Sequence, residues 1–347
     1  MDELNLGIVG LGKMGALHYG NLEIMDNVNV VCAAEANKQV YNYTEKMLEI
    51  PIYTDYKKLV SQDIDAVVVC VPDELHAMIG NYFAENNLNV FMEKPLADSV
   101  QNAKDMVDYS EKNDIITQVG YFNRFSSTFK KGKEILNDNI LGELFHSRGF
   151  SYEGLVFKSH KGWRFSKDTD VGGSLLDIGS HLIDLLLWYF GEMETIFGIK
   201  KDAFSSTDYG SSIIKYKNGL NTIVDFSWSS HLHRQMHIEI QVEGSNGFMN
   251  VNNDYIKLFL NNSAGNYDEG WTTIYGVELY EPTEFLIGVE TAYFEEDKHF
   301  IECCKMNKKT DLNWKDGLDT QIILEGIIKS NENNQLVKVG DILENNR

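Results

Sequence analysis

Short, almost wholly apolar runs alternate with longer mixed ones over the first 120 residues. Leu4–Val9, Asn29–Ala34, Asp65–Val71, Asn89–Met92 and Ile115–Val119 each predict a strand. Helical stretches fill the gaps, the first over Lys13–Met25. A strand apolar on both faces must be covered on both faces, as in a parallel sheet between helices. Right-handed crossovers then give a doubly wound sheet.

The pattern changes after about residue 122. A helix over Ser126–Leu136 leads through Gly142 into a strand, Glu143–Tyr152. A polar, basic loop follows over Lys158–Thr169, then a strongly apolar helix over Ser174–Tyr189. From Thr195 to Leu260 apolar and polar residues alternate, broken at Asn218-Gly219 and Asn246-Gly247, both hairpin signals. The reading is α/β for residues 1–122 and α+β, with a mostly antiparallel sheet, for residues 123–347. The helix expected over Gly317–Ser330 suits either domain.

Charge narrows the function. The chain holds 31 Lys+Arg against 52 Asp+Glu, a net −21. Such a surface disfavours nucleic acid, whose binding needs cations to displace counterions, and anionic membranes. No apolar run reaches the roughly 20 residues that span a bilayer. The acidic start, Met1-Asp2-Glu3-Leu4, is unlike a secretory leader. Cys32 and Cys70 fall in expected buried strands, and Cys303 and Cys304 are adjacent. With no CxxC among them, they read as reduced thiols in a cytoplasmic compartment.

Gly10-Leu11-Gly12-Lys13-Met14-Gly15 follows a strand and opens a helix. In a GxGxxG loop the first glycine permits a tight turn, the second lets backbone approach a pyrophosphate, and the third lets helix and strand pack closely. Unpaired N–H groups at the helix start then face the phosphates. Glu35 closes the second strand, where a carboxylate accepts both ribose hydroxyls and repels a 2′-phosphate. The cofactor expected is NAD. Asn37 and Lys38 lie close enough to leave NADP as the lesser possibility.

Two further stretches carry chemistry. Asp177, His181 and Asp184 stand at i, i+4 and i+7 in an otherwise apolar helix and would share one face. Burying such groups needs compensation, so the stripe either lines a cavity or is an Asp–His pair that locks the helix. Glu93-Lys94-Pro95 ends the fourth apolar run, on the edge where open α/β sheets bind ligands. Lys94 there can hydrogen-bond a substrate oxygen as its charge changes. The plainer alternative is a solvated lysine paired with Glu93.

Taken together, these motifs resemble the glucose–fructose oxidoreductase / inositol dehydrogenase (Gfo/Idh/MocA) family, nearly end to end. The marks are the Gly10–Gly15 loop, Val71-Pro72-Asp73-Glu74-Leu75-His76, Glu93-Lys94-Pro95, Asn123-Arg124-Phe125, Gly162-Trp163-Arg164, and Gly172-Gly173 leading to Asp177, His181 and Asp184. The resemblance implies an N-terminal Rossmann domain and a C-terminal open-faced sheet through which many members form dimers or tetramers. It implies Lys94, Asp177 and His181 as the catalytic set, with His181 the general base and Arg124 beside them at the substrate. It implies Gly10, Gly12, Lys13, Met14, Gly15, Glu35, Pro72, His76, Glu93, Lys94, Trp163 and Arg164 at the cofactor. Asp73 departs from the Asn common in the family, and Ser174 from a third glycine.

The expected activity is hydride transfer between nicotinamide and a secondary alcohol of a sugar, cyclitol or nucleotide-sugar, in a homodimer or homotetramer. The alternatives are an NAD-dependent glycosidase of the same family and a non-catalytic dinucleotide-binding regulator. Lys158, His160, Lys161, Arg164 and Lys167 form a basic cluster that reads as a solvated loop, Arg164 excepted. His231 and His233 would face one side of a strand, but no third ligand has a suitable spacing, and no metal is expected.

Overall fold

A computed structural model describes residues 3–158, 173–279 and 289–345. The chain divides into two compact units, the first Met1–Phe122 with Val289–Gln321, the second Asn123–Gly288 with Ile322–Arg347.

The first unit is built on six strands: β1 (Leu4–Val9), β2 (Val28–Ala34), β3 (Ile52–Tyr53), β4 (Ala66–Val69), β5 (Asn89–Met92) and β6 (Thr117–Val119). Their order is β3-β2-β1-β4-β5-β6, and all pairings are parallel. The order reverses between β1 and β4, and ligands bind such sheets outside the carboxyl ends at that point. The helices α1 (Lys13–Glu23), α2 (Lys38–Met47), α3 (His76–Glu85) and α4 (Val100–Lys112) connect the strands. α4 shows why the sequence folds so locally. The Ser99 hydroxyl caps Asn102 N–H at 3.2 Å, and Val100, Ala103, Met106 and Val107 bury one stripe. The two-residue β3 has no apolar run of its own to announce it.

Residues 289–321 depart from the expected assignment to the second domain. Helix α7 (Val289–Met306) buries Phe300, Ile301 and Cys303 in the core of β1, β2 and β4. The segment after it covers the sheet edge: Val119 N–H donates to the Leu312 carbonyl, and the Thr310 hydroxyl to the Thr117 carbonyl. An open edge strand is a liability, and this return of the chain closes it. Helix α8 (Trp314–Asn333) begins in the first unit and ends in the second.

The second unit carries α5 (Ser127–Asn137), β7 (Leu144–Tyr152), a π-turn (Leu175–Gly179) running into α6 (Ser180–Phe190), β8 (Met193–Lys201), β9 (Tyr209–Tyr216), β10 (Asn221–Ser227), β11 (His237–Gly244), β12 (Gly247–Asn252), β13 (Tyr255–Leu260), β14 (Gly270–Tyr275), β15 (Val337–Lys338) and α9 (Val339–Asn345). Its nine-stranded sheet runs β14-β13-β12-β11-β7-β10-β9-β8-β15, and only β7 with β10 is parallel. Alternate residues face one core: Ile238, Ile240 and Val242 of β11 and Ile256, Leu258 and Leu260 of β13 pack with Leu182, Leu185 and Leu186 of α6. On other strand positions Ile199, Ile213, Ile223 and Trp271 are exposed.

The loop between β8 and β9 is gathered around the Asp208 carboxylate. Asp208, fully buried, accepts from Ala203, Phe204 and Ser205 N–H groups at 2.6, 2.5 and 2.9 Å, from the Ser205 hydroxyl, and from Trp228 Nε1 at 2.9 Å. Burial alone would raise its pKa, but the hydrogen bonds from Ser205, Trp228 and Phe204 outweigh that and hold it below the usual carboxylate value. A depressed pKa stabilises the fold above the unfolded value and loses that stability as pH falls through the folded one. Asp208→Asn should therefore cost about 2–3 kcal/mol near neutrality, read as a lower denaturation midpoint. The gap to the parent protein should close below about pH 4; a gap constant with pH would contradict this account.

Candidate active site

In the first unit the loop after β1 is shaped by two glycines that tolerate no side chain. A Cβ on Gly10 (φ 89°) would stand 2.4 Å from the Cys70 carbonyl, and one on Gly15 would stand 1.8 Å from the Gly10 carbonyl. Gly12 differs. A Cβ there meets nothing within 4 Å, and Gly12 is the N-cap of α1 with no side chain capping it. The helix start thus presents unpaired N–H groups to open space, a setting suited to phosphate. Lys13 is exposed and Met14 half-buried in the same turn.

Beside it lies a cavity of about 650 Å³ whose lining includes Gly10, Gly12, Glu35, Val71, Pro72 and Leu75. Glu35 is nearly buried. Its Oε2 accepts from Leu11 N–H at 2.8 Å and its Oε1 from Asn37 N–H at 2.6 Å. Both oxygens keep lone pairs for a diol, since an ionised carboxylate accepts about four hydrogen bonds. Asn37 itself caps α2, accepting from Gln39 and Val40 N–H. Room, uncapped helix start and fixed carboxylate all fit a dinucleotide.

The loops after β4 and β5 are tied together by His76. Its Nδ1 lies 2.8 Å from the Pro95 carbonyl and its Nε2 2.9 Å from the Val71 carbonyl, in a buried position. Both ring nitrogens thus bond backbone of this chain, one loop on each side. Next to Lys94, which is half-buried, Glu93 is buried, and its Oε2 accepts the Lys94 N–H at 2.9 Å. Asp73, at the corner before α3, has its pKa raised by partial burial and by Glu74.

In the second unit the polar helix starts as a π-turn, so Asp177 sits on a wider spiral than His181 and Asp184. Ser174 anchors that start, donating N–H and hydroxyl to the Thr207 carbonyl at 3.0 and 2.5 Å, in the loop that Asp208 locks. Asp177 is half-buried and His181 buried. Asp184 is fully buried and held by Arg124 through two parallel bonds, Nε–Oδ2 at 2.9 Å and Nη2–Oδ1 at 2.7 Å. The Arg124 guanidinium also lies 5.9 Å from the Trp188 ring. The helix is therefore held through Asp184 by an Asp–Arg pair. Nothing in local spacing linked residues 124 and 184.

Trp163 and Arg164 lie outside the described residues, as do His160, Lys161, Lys167 and Gly172. His231 and His233 are not on a strand, because β11 begins only at His237. His231 stacks on Phe157 and His233 on His237. Sequence reading missed His18, Asn21 and Asp297, which form a buried hydrogen-bonded group with Glu93. His18 lies only three residues past the glycine loop, but its partner at 297 lies on α7.

The chain matches two family models. Residues 4–121 match an oxidoreductase family with an NAD-binding Rossmann fold, and residues 129–250 match the GFO/IDH/MocA C-terminal domain. It is 24% identical over 351 residues to myo-inositol 2-dehydrogenase of Thermotoga maritima, covering 98% of this chain and 100% of that protein. It is 24% identical to scyllo-inositol 2-dehydrogenase (NAD(+)) of Bacillus subtilis, covering 95% of this chain and 94% of that one. Levoglucosan dehydrogenase in complex with NADH and L-sorbose superposes with a TM-score of 0.88 at 22% identity, covering 98% of this chain and 99% of that chain.

The Arg124–Asp184 pair yields a test. Asp184→Asn removes the charged acceptor from a buried ion pair, and breaking such a pair typically costs about 3–5 kcal/mol. The denaturation midpoint should fall accordingly at unchanged denaturant slope, and an equally stable variant would show that the pair is not buried in solution.

Proposed function

The chain belongs to the Gfo/Idh/MocA oxidoreductases and carries their NAD-binding Rossmann domain, and from that premise we propose that it is an NAD-dependent dehydrogenase of a secondary alcohol on a sugar or cyclitol. The observation that carries the reading is the first unit's carboxyl edge. There the uncapped start of α1, the fixed Glu35 carboxylate and Lys94 at the end of β5 serve one sheet. The relatives named as inositol and levoglucosan dehydrogenases support a polyhydroxylated substrate.

Bound in that cavity, NAD supplies the hydride acceptor. Lys94 hydrogen-bonds the substrate oxygen and offsets its growing negative charge. His181 takes the hydroxyl proton, a transfer to which an imidazole nitrogen is suited. Asp177 orients these groups, and Arg124 borders the substrate. Glu35 accepts the ribose hydroxyls and repels a 2′-phosphate, so NAD is preferred to NADP. The exposed Ile199, Ile213, Ile223 and Trp271 favour a homodimer or homotetramer formed through the sheet. Among the described residues no helix is long and apolar enough to cross a membrane.

Lys94→Ala should lower turnover on the order of 10²–10³-fold while NADH binding, followed by fluorescence, stays within about threefold. The assay is NADH formation with a polyol panel, and unchanged turnover would remove Lys94 from the site. Glycoside cleavage without net NADH would identify the hydrolytic relatives' chemistry instead.

Glu35→Ala should weaken NAD roughly tenfold, the effect of one lost charged hydrogen bond, and shrink the NAD-over-NADP ratio. A ratio that stays put would mean that Glu35 does not read the ribose.

A further inference from the structure

Behind Glu93 lies a fully buried imidazole between two carboxylates. His18, on α1, is 0% exposed; Asp297 and Glu93 are 2% and 6% exposed. His18 Nδ1 is 2.6 Å from Asp297 Oδ1, and Nε2 is 3.2 Å from Glu93 Oε1. Asn21, one turn on, donates to Asp297 Oδ2 at 2.8 Å and fixes that carboxylate's plane. Phe91 packs on the imidazole with ring centroids 5.0 Å apart. On the other side Glu93 has no room to retreat, because a Cβ on Gly120 would already stand 3.2 Å from its carboxyl carbon and Oε2. That same Oε2 accepts the Lys94 N–H.

A buried polar group is often no more than packing. Three features argue otherwise. The group contains two carboxylates and one imidazole with almost no solvent, an arrangement that costs several kcal/mol per uncompensated charge. Only a ring carrying hydrogens on both nitrogens donates to both carboxylates. The last oxygen in the series holds the main chain of Lys94, at the ligand edge.

We propose that His18 is a positioning residue for Lys94: anchored by Asp297, it holds the Glu93 carboxylate, and Glu93 holds the strand-end backbone from which the Lys94 side chain departs. The inference rests on the reading of Lys94 as the group that meets substrate oxygen. His18 touches no reacting atom. It acts through Glu93, and it makes α1, the same helix that opens at Gly12, the structural reference for the lysine as well as for the phosphates.

The proton balance agrees. Burial alone pulls His18 down, but the Asp297 charge and the hydrogen bonds to Asp297 and Glu93 more than offset it and set the imidazole well above its ordinary value. Cys70, at the end of β4, has its thiol pushed up to about 12 by burial, so it faces the ring as a neutral group. A raised histidine pKa stabilises the fold fully below the unfolded value of about 6.5, and that contribution is lost as pH rises through the folded value.

The test compares His18→Gln, Gly120→Ala, Lys94→Ala and the His18→Gln/Lys94→Ala double variant in the full-length protein. Turnover is read as NADH formation from NAD with myo-inositol, scyllo-inositol and levoglucosan. NADH binding is read by fluorescence, and the rate of Lys94 acetylation by acetic anhydride by mass spectrometry. Because a misplacement of about 1 Å typically costs on the order of 10²-fold, His18→Gln and Gly120→Ala should each lower turnover about 10- to 100-fold. NADH affinity should hold within about threefold, and the Lys94 acetylation rate should change in both variants. His18→Gln should cost far less when Lys94 is already alanine, since groups acting as one unit are not additive.

Full additivity, or acetylation and turnover both within twofold of the parent in the single variants, would overturn the proposal. If His18→Gln fails to fold, Gly120→Ala decides alone, because it presses on Glu93 from the opposite side. If Lys94→Ala leaves turnover unchanged, the site reading falls. If Lys94→Ala is inactive while His18→Gln is normal, only the positioning role falls.

Discussion

The close approach of α1 to the loop after β1 is the constraint from which the rest of the first unit follows. The Gly10 carbonyl occupies the space that a side chain at 15 would need, with 1.8 Å between them. Because the helix seats that deeply, its uncapped start opens onto the cavity beside β1 and β4. Because it seats that deeply, His18 reaches inward to Glu93 at the end of β5 and to Asp297 on α7. One backbone contact thus sets both the anion-binding end and the polar group behind the candidate lysine. Packing and chemistry here have a single cause, and a methyl group at residue 15 would disturb both.

The second unit solves a different problem. Its helix carries two carboxylates and an imidazole among leucines, and every buried charge must be met. The solutions come from far along the chain. Arg124 forks onto Asp184, and the Thr207 carbonyl receives the helix start through Ser174. That carbonyl is fixed because Asp208 gathers three consecutive N–H groups and the Trp228 indole. The π-turn at Leu175–Gly179 carries Asp177, the least buried of the three polar residues. Such turns often occur at functional sites, where a widened spiral re-aims a side chain.

Much of the first unit was legible because parallel strands write themselves as continuous apolar runs. Asn89–Met92 and Leu4–Val9 have the same bounds in sequence and structure. β3 was not legible, since two residues make no pattern. Residues 289–321 were not legible as part of the first unit either. Phe300, Ile301 and Cys303 are apolar enough to be buried, but no local rule says against which sheet. The hairpins at Asn218-Gly219 and Asn246-Gly247 were readable from turn chemistry. The departure of His231 and His233 from any strand was not, because stacking on Phe157 and His237 is a tertiary fact.

For the site, the sequence by itself determined which residues carry chemistry: a glycine loop between strand and helix, an acid at the end of the second strand, a lysine at the end of another, and a polar stripe on an apolar helix. These are local consequences of period, spacing and side-chain type, and they suffice to name a family. Only the tertiary structure decided which of those groups are committed to one another. Asp184 belongs to Arg124, His76 joins the Val71 and Pro95 carbonyls, and His18 stands between Glu93 and Asp297. The physical reason is that the partner of a buried charge is chosen by distance in the fold, and sequence separations of 19, 60 and 279 residues carry no trace of it.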